Sequence, residues 1–275
     1  MRFATDTTGK ISLGHIYDRP DPRAYFSTLR ALDYRIPQLA KPRFAELISR
    51  YREEHGARTV DVVDVGCSYG INAALYRLDL DMDDLYRRYA DPAAAALTTE
   101  QLLDRDLRAA RVRPRARARA TAGVRFTGLD VSGPALAYAH RAGFLDATVH
   151  ADLERDRATG AQRAALASAD LVVSTGCFGY VTDRTLAQIA DVEQGHRPWM
   201  AHFVLRMFSF DEVTERLAAA GYETVRSPEV FRQRRFASAQ EREQVLTTLV
   251  EAGVDPTGHE TDGWFCAQLY VSRPR

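Results

Sequence analysis

A glycine turn is the feature of this sequence that is best suited to chemistry. It lies in Val63–Gly70, Val-Asp-Val-Gly-Cys-Ser-Tyr-Gly, and continues a β-branched run typical of a buried strand. Glycines let a backbone approach a ligand closely, and the helix predicted after Gly70 points its amide dipoles at that ligand. The turn favours a nucleotide-like cofactor, although an ordinary tight turn between a strand and a helix has the same pattern.

Polar groups also follow three later predicted strands. The strand predicted over Val124–Asp130 ends in an acid, where doubly wound nucleotide binders place a carboxylate for the ribose hydroxyls. Asp152 and Leu153 follow the third predicted strand and suit the amino group and the ring face of adenine. The fourth predicted strand ends in three small residues, Ser174, Thr175 and Gly176. The carboxyl ends of parallel strands meet at one edge of a sheet, so these groups together indicate one ligand site.

At this point the chain resembles the class I S-adenosylmethionine (SAM)-dependent methyltransferases. The spacing Asp64-x-Gly66-x-x-x-Gly70 looks like the first motif of that family, and Asp170–Ser174 looks like its fourth. The resemblance runs from about Phe44 to the C-terminus. It implies an α/β fold with a doubly wound, mostly parallel seven-stranded sheet whose last strand is reversed.

The resemblance further implies that SAM is the co-substrate. Gly66, Ser68 and Gly70 would wrap its methionine part, and Asp130 would hold its ribose. The full set of expected cofactor contacts is Asp64, Gly66, Ser68, Gly70, Asp130, Val131, Asp152, Leu153, Ser174, Thr175 and Gly176. We expect no metal ion at the site.

One departure concerns the ribose acid, which normally lies about 20 residues beyond the glycine turn. Asp130 lies much further along this chain, so the assignment requires the segment 78–122 to be an insertion outside the strand–helix alternation. The competing cofactor is NAD(P). Its Gly-x-Gly-x-x-Gly turn needs a glycine where this chain has Ser68, which ranks a dehydrogenase well behind a SAM enzyme.

The elements that must position these residues follow from apolar periodicity and end signals. Strands are predicted over 59–65, 124–130, 147–150, 170–174, 200–207, 223–231 and 265–272. Helices are predicted over 24–32, 44–56, 71–77, 81–89, 98–110 and 211–217, and after the cap residue Ser132. Asp211 is expected to cap the helix that Gly221 terminates. Strands that alternate with helices predict the doubly wound sheet independently of any family.

Residues 1–42 are expected to form an N-terminal arm or lid before a cofactor-binding domain over 43–275. The arm is rich in proline, acids and tyrosines, including Tyr17, Tyr25 and Tyr34. Such a segment either closes over the cofactor or lies as a strap across the domain, and the sequence favours neither. The helical insertion within the domain ends in the basic run Arg111–Arg119.

Two tyrosines are the best catalytic candidates, Tyr180 on the loop after the fourth strand and Tyr17 on the arm. The phenol of Tyr180 can contact a sulfonium cation and can position a nucleophile, whereas Tyr17 is a candidate base only if the arm closes as a lid. Phe178 is as readily a packing residue as a pocket wall. Cys177 has no paired histidine, and lone cysteines of this kind are commonly inert. His202 on the fifth strand is expected to be a buried structural residue.

Methylation of a small molecule, in bacterial secondary metabolism, is the first functional hypothesis. The loop after strand four lacks the Asn-Pro-Pro-Tyr type of motif that marks amino-methylating enzymes of DNA and protein. The alternative is an enzyme of the same fold that breaks the other sulfonium bond, either transferring the 3-amino-3-carboxypropyl group or cyclising SAM to azetidine-2-carboxylate. An RNA methyltransferase and a non-catalytic scaffold rank lower.

Composition narrows the classes of function and partner that remain. The formal net charge is zero, which argues against a general polyanion binder, so the basic run is expected to be solvated and nucleic acid is an improbable partner. The three cysteines have no zinc or disulfide spacing and suit a reducing compartment. No signal peptide or membrane span is recognisable, so we expect a cytoplasmic protein with a small-molecule substrate.

Overall fold

One mostly parallel sheet forms the centre of the protein. The computed structural model describes residues 14–112, 121–190 and 197–275. Within these ranges the strands are β1 (Val60–Val65), β2 (Val124–Asp130), β3 (Ala147–His150), β4 (Leu171–Thr175), β5 (Trp199–Leu205), β6 (Tyr222–Arg235) and β7 (Trp264–Pro274). They lie in the order β3-β2-β1-β4-β5-β7-β6, and β7 runs antiparallel to both of its neighbours. This strand order, with the reversed seventh strand, confirms the class I methyltransferase fold predicted from the sequence.

Helices connect the strands and cover both faces of the sheet. Those in the described ranges are α1 (Gly14–Tyr17), α2 (Arg23–Ala31), α3 (Ile36–His55), α4 (Ile71–Leu78), α5 (Met82–Ala90), α6 (Pro92–Ala95), α7 (Thr99–Arg111), α8 (Gly133–Arg141), α9 (Gly160–Leu166), α10 (Asp183–Ile189), α11 (Asp211–Ala219) and α12 (Ala239–Glu251). None of them is long and apolar enough to cross a membrane.

Alternating side chains of the strands fill two cores. Val62 on β1 faces a core that contains Phe44 and Ile48 of α3, whereas its neighbour Val63 faces a core with Leu186 of α10. All of these side chains are buried. Because both faces of the central strands are covered, these strands are apolar almost throughout, as expected for a parallel sheet.

The segment 78–122 leaves the pairing of the central strands undisturbed. β2 pairs with β1 directly, in the register Val60 with Val124 through Val65 with Leu129. The helices α5, α6 and α7 lie in this segment, which confirms both helices predicted there. The apolar faces of α5 and α7 form a third core together with α2 of the N-terminal arm. The insertion therefore packs beside the sheet and against the arm.

A buried carboxylate fixes this insertion to the rest of the domain. Asp106 of α7 is fully buried and accepts hydrogen bonds from Arg88 Nε at 2.7 Å and Arg105 Nε at 3.2 Å. Its second oxygen accepts from Tyr89 Oη at 2.5 Å and from Tyr138 Oη of α8 at 2.6 Å. The carboxylate is thus shared by α5, α7 and α8.

Some predicted boundaries were wrong. α3 begins at Ile36, well before Phe44, and β6 continues past Phe231 to Arg235. Asp211 does not cap α11 but is its first residue, because the Ser209 hydroxyl accepts the Asp211 backbone N–H at 3.0 Å. Five of the described helices, α1, α6, α9, α10 and α12, had no prediction. Most of the basic run Arg111–Arg119 lies outside the described residues.

We predict that Asp106→Ala destabilises the protein by about 3–5 kcal/mol, because it leaves two partly buried arginines and two buried tyrosine hydroxyls without their shared acceptor. Urea unfolding followed by circular dichroism measures the change. Breaking the exposed pair Arg141–Glu100 by Arg141→Ala serves as the control, with an expected loss below about 1 kcal/mol. Equal losses for the two variants would show that the carboxylate does not fix the insertion.

Candidate active site at the carboxyl edge of the sheet

A pocket of about 610 Å³ lies where the central strands end. This is the volume range of small-molecule sites in proteins, about 300–1,000 Å³. Its floor is formed by residues that follow β1, β2, β3 and β4, and its cover by the N-terminal arm. The residues that line it are Tyr17, Asp18, Tyr25, Leu29, Tyr34, Pro37, Val65, Gly66, Cys67, Ser68, Ile71, Asn72, Leu129, Asp130, Val131, Ser132, Ala151, Asp152, Leu153, Glu154, Arg155, Thr175, Gly176, Cys177, Tyr180, Val181, Thr185, Gln233 and Arg234.

The glycine turn after β1 has the left-handed backbone that its sequence predicts. Gly66 has φ +67°, and a Cβ built on it would lie 2.8 Å from the Cβ of Cys177, so no side chain fits there. Ser68 also has a positive φ of 50° although it carries a side chain. Gly70, at φ +70°, is the N-cap of α4 and lies against Ala139 rather than in the pocket. The turn therefore presents backbone groups to the pocket.

The carboxylate of Asp130 joins this turn to the end of β2. One oxygen accepts the backbone N–H of Ser68 at 2.8 Å, and the other accepts that of Ser132, the N-cap residue of α8, at 2.9 Å. Burial raises the pKa of Asp130, while the backbone N–H groups oppose that shift. The carboxylate also lines the pocket, so its remaining lone pairs can accept hydrogen bonds from a ligand.

A second acid lies behind the turn. Asp64 on β1 is fully buried, and burial raises its pKa to about 7. Asn72 of α4 donates its amide N–H groups to Asp64 Oδ1 at 3.0 Å and to Thr175 Oγ1 at 3.2 Å. Asp64 therefore orients Asn72, and Asn72 lines the pocket in its place.

The hydroxyl of Tyr69 attaches the N-terminal arm to the glycine turn. Tyr69 Oη lies 3.2 Å, 3.1 Å and 3.0 Å from the carbonyl oxygens of Ile16, Tyr17 and Arg19, and accepts the Arg19 N–H at 3.3 Å. The Ser132 hydroxyl also donates to the carbonyl oxygen of Tyr17, at 2.8 Å. The arm is thus bound both to the glycine turn and to Ser132, the two segments that Asp130 joins, and it covers the pocket.

Tyrosine rings form the inner face of this cover. Tyr25 makes edge-on contacts with Tyr17 at 5.7 Å and with Tyr34 at 6.5 Å between ring centroids. Burial raises the pKa of Tyr17 to about 12; Asp130 raises it further and Arg234 lowers it. Burial also raises the pKa of Tyr34. Both phenols therefore remain protonated at neutral pH, and Tyr17 can donate a hydrogen bond to a ligand but is not a general base there.

The far side of the pocket is built on the loop after β3. Asp152 Oδ1 accepts the backbone N–H groups of Glu154 and Arg155 at 3.2 Å and 3.3 Å. Leu153 is buried beside it, whereas Val131 across the pocket is 63% exposed. An acid next to two apolar side chains suits a heterocycle with an exocyclic amino group.

The loop after β4 supplies one more polar side chain. Tyr180 lines the pocket and is half exposed. Phe178 is buried and packs on the rings of His202 at 4.9 Å and Phe210 at 5.0 Å, so it is a packing residue. The thiol of Cys177 lines the pocket and donates to the Val65 carbonyl at 3.4 Å.

His202 is buried away from the pocket, as the sequence predicted. Its Nδ1 lies 2.9 Å from the Ser174 hydroxyl, and burial lowers the pKa of His202 to about 3. Ser174 is itself fully buried and does not line the pocket. The imidazole is therefore neutral at physiological pH and has no access to a ligand.

The structure brings most of the predicted site residues to one cavity. Those that line it are Tyr17, Gly66, Ser68, Asp130, Val131, Asp152, Leu153, Thr175, Gly176 and Tyr180. Asp64, Gly70 and Ser174 lie behind the wall. Sequence reasoning missed Asn72, Gln233 and Arg234. Asn72 is the second residue of α4 and directly follows the glycine turn, so its position next to the motif is a signal that could have identified it. No sequence pattern indicates that the end of β6 reaches the pocket.

No family model and no curated protein matches this chain. Solved structures with a similar arrangement include the plantazolicin methyltransferase BpumL in complex with SAH, at 11% identity, covering 84% of this chain and 82% of that chain, with a TM-score of 0.41. Magnesium protoporphyrin IX methyltransferase from Synechocystis with bound SAM has 9% identity, covers 84% and 78%, and has a TM-score of 0.39. A SAM-dependent methyltransferase from Geobacter sulfurreducens in complex with S-adenosyl-L-homocysteine has 12% identity, covers 93% and 99%, and has a TM-score of 0.38.

We predict that Tyr69→Phe loosens the arm, because it removes the hydroxyl that residues 16–19 surround. Hydrogen–deuterium exchange of these amides should become faster than in the unmodified protein, with the sheet unaffected. Tyr222→Phe is the matched control, since Tyr222 is equally buried and its hydroxyl has no partner among the described residues. Unchanged exchange in Tyr69→Phe would show that apolar packing alone holds the arm.

Proposed function

We propose that this chain is a SAM-dependent methyltransferase that acts on a small molecule, in secondary metabolism. The observation that carries the proposal is the Asp130 carboxylate, which the backbone N–H groups of Ser68 and Ser132 hold in the pocket beside Gly66. A carboxylate in this position can accept both hydroxyls of a ribose while the glycine turn admits the chain attached to it.

The rest of the pocket fits the remaining parts of SAM. Adenine is assigned to the space between Val131 and Leu153, with its amino group on Asp152. The methionine part follows the turn at Gly66 and Ser68 toward Asn72, whose Oδ1 has no partner among the described residues. The tyrosines of the arm cover the sulfonium, where aromatic faces stabilise a cation.

A dinucleotide fits this turn less well. The position that must be glycine to admit a pyrophosphate is Ser68, whose side chain is buried in the pocket wall. The Asp130 carboxylate accepts the backbone N–H of that residue and adds negative charge beside it. This charge favours a cationic sulfonium over an anionic pyrophosphate.

Methyl transfer is a displacement that the protein promotes by alignment and by exclusion of water. The methyl carbon leaves the sulfonium sulfur as a bond to the nucleophile of the acceptor forms, and S-adenosylhomocysteine (SAH) departs. Tyr180 is placed to position the acceptor because it lines the pocket and is exposed at its rim. The phenol of Tyr17 stays protonated and serves as a hydrogen-bond donor.

We predict that the protein binds SAH and that Asp130→Asn weakens binding by about 10- to 100-fold, since a hydrogen bond to a charged group contributes about 1.5–3 kcal/mol. Gly66→Arg should abolish binding because its side chain would occupy the pocket. Isothermal titration calorimetry gives the dissociation constants. Asp104→Asn, an exposed acid on α7, is the control and should bind as the unmodified protein does. A folded wild-type protein that does not bind SAH would end the proposal.

A second reaction on the same co-substrate is favoured by the cover over the methionine part. The rings of Tyr17, Tyr25 and Tyr34 enclose that part of the pocket, which suits a reaction within SAM itself. In that case the sulfonium bond to the aminocarboxypropyl carbon breaks and methylthioadenosine departs. The new bond forms to an acceptor or, in cyclisation, to the amino nitrogen of the same molecule, which loses a proton and gives azetidine-2-carboxylate.

The released nucleoside distinguishes the two reactions. We predict that SAM incubated with the enzyme alone gives no nucleoside above the Asp130→Asn background, and that SAH forms once a methyl acceptor is added. Liquid chromatography with mass spectrometry identifies both products. If the unmodified protein, but not Asp130→Asn, produces methylthioadenosine without an acceptor, the activity is the second reaction and not methylation.

A further inference from the structure

A β-bulge near the end of β6 places two consecutive side chains in the pocket wall. Arg232 is paired with Cys266 and Arg234 with Phe265, so Gln233 is the extra residue between them. Neighbouring side chains of a regular strand point to opposite faces, and a bulge changes this alternation. Gln233 and Arg234 are both buried and both line the pocket, whereas Arg232 is exposed. Bulges commonly re-aim side chains beside active sites.

Arg234 is held from behind by a buried acid. Its Nη1 and Nη2 donate to the two carboxylate oxygens of Glu241 at 2.9 Å and 2.6 Å, and Nη1 also donates to the carbonyl oxygen of Arg235 at 2.9 Å. These three bonds use three of the five N–H groups of a guanidinium. The edge formed by Nε and the second Nη2 hydrogen has no acceptor among the described residues. That edge is a fork that can bind both oxygens of a carboxylate.

Gln233 supplies a complementary group next to this fork. It is 4% exposed, and its Oε1 has no hydrogen-bond partner within the described part of the chain. Its amide lies directly over Gly176, since a Cβ built there would fall 2.8 Å from Oε1. A buried carbonyl oxygen without a donor costs free energy, which a ligand N–H group can recover.

We propose that Gln233 and Arg234 form a subsite for the α-amino acid end of SAM, the fork of Arg234 binding its carboxylate and Oε1 of Gln233 accepting from its ammonium group. The inference rests on the proposed SAM binding and extends it to residues outside the glycine turn. Asp130, Tyr17 and Arg234 all line the same pocket, so the ribose and the amino acid end of one ligand can reach both charged groups.

The test compares two nucleosides that differ in this part alone. SAH carries the amino acid end, and methylthioadenosine lacks it but keeps the sulfur and the adenosine. Arg234→Lys keeps a positive charge beside Glu241 and removes the fork. Gln233→Met has nearly the same length and removes Oε1, the acceptor proposed for the ligand ammonium group. Arg232→Lys, on the same strand but outside the pocket, is the matched control.

Calorimetry should show that Arg234→Lys and Gln233→Met each weaken SAH binding by about tenfold, while methylthioadenosine binding changes by less than about twofold. Arg232→Lys should change neither. Gln233→Met alone decides the matter if Arg234→Lys fails to fold, as judged by circular dichroism. Folded variants that bind SAH as the unmodified protein does, or that lose SAH and methylthioadenosine equally, would overturn the subsite. If the unmodified protein binds neither SAH nor methylthioadenosine, SAM binding itself is refuted.

Discussion

The site depends on the carboxylate of Asp130. Two backbone N–H groups, from Ser68 and Ser132, bind its two oxygens and so join the turn after β1 to the start of α8. Ser132 and Tyr69 then hold the arm through the carbonyl oxygen of Tyr17. The two parts of the pocket floor that hold the cover are therefore joined to each other by a single carboxylate.

This arrangement gives one carboxylate two roles. Each oxygen has a second lone pair beyond the one that a backbone N–H occupies, so the group that holds the turn can also accept hydrogen bonds from a ribose. Burial raises the pKa of Asp130 because the anion is partly removed from water, and the backbone N–H groups offset only part of this loss. Ligand binding recovers part of that cost and should also tighten the contacts of the arm.

The arm and the insertion act as one layer. α2 and α5 pack together in a core that includes Tyr69 and Tyr138, and Asp106 connects that core to α8. The segment 78–122, which breaks the strand–helix alternation, thus supports the cover of the pocket. An arm bound to a packed layer in this way differs from a loose lid, because opening it requires breaking buried tyrosine contacts.

The strands and the floor of the site could be predicted from the sequence because their signals are local. A β-branched run that ends in Gly66 defines β1 and its turn, and an acid at the end of β2 identifies Asp130. The resemblance to a known family then specified the topology.

The remaining features depend on contacts between distant segments. The bulge that turns Gln233 into the pocket arises from pairing with β7, and no pattern along β6 marks it. The position of Asp64 behind Asn72 follows from the packing of α4 on β1, so a motif residue that resembles a ligand contact instead orients one. Ser174 was assigned to the pocket for its place at a strand end, yet alternation along β4 turns it toward His202.

The central claim is that Asp130, the glycine turn and the arm form one binding site for SAM. Hydrogen–deuterium exchange measured with and without saturating SAH tests it directly. The account predicts slower exchange together at the amides of residues 66–70, 130–132 and 16–19, with little change at the far ends of β6 and β7. Protection confined to another surface, or none at these three segments with SAH demonstrably bound, would contradict it.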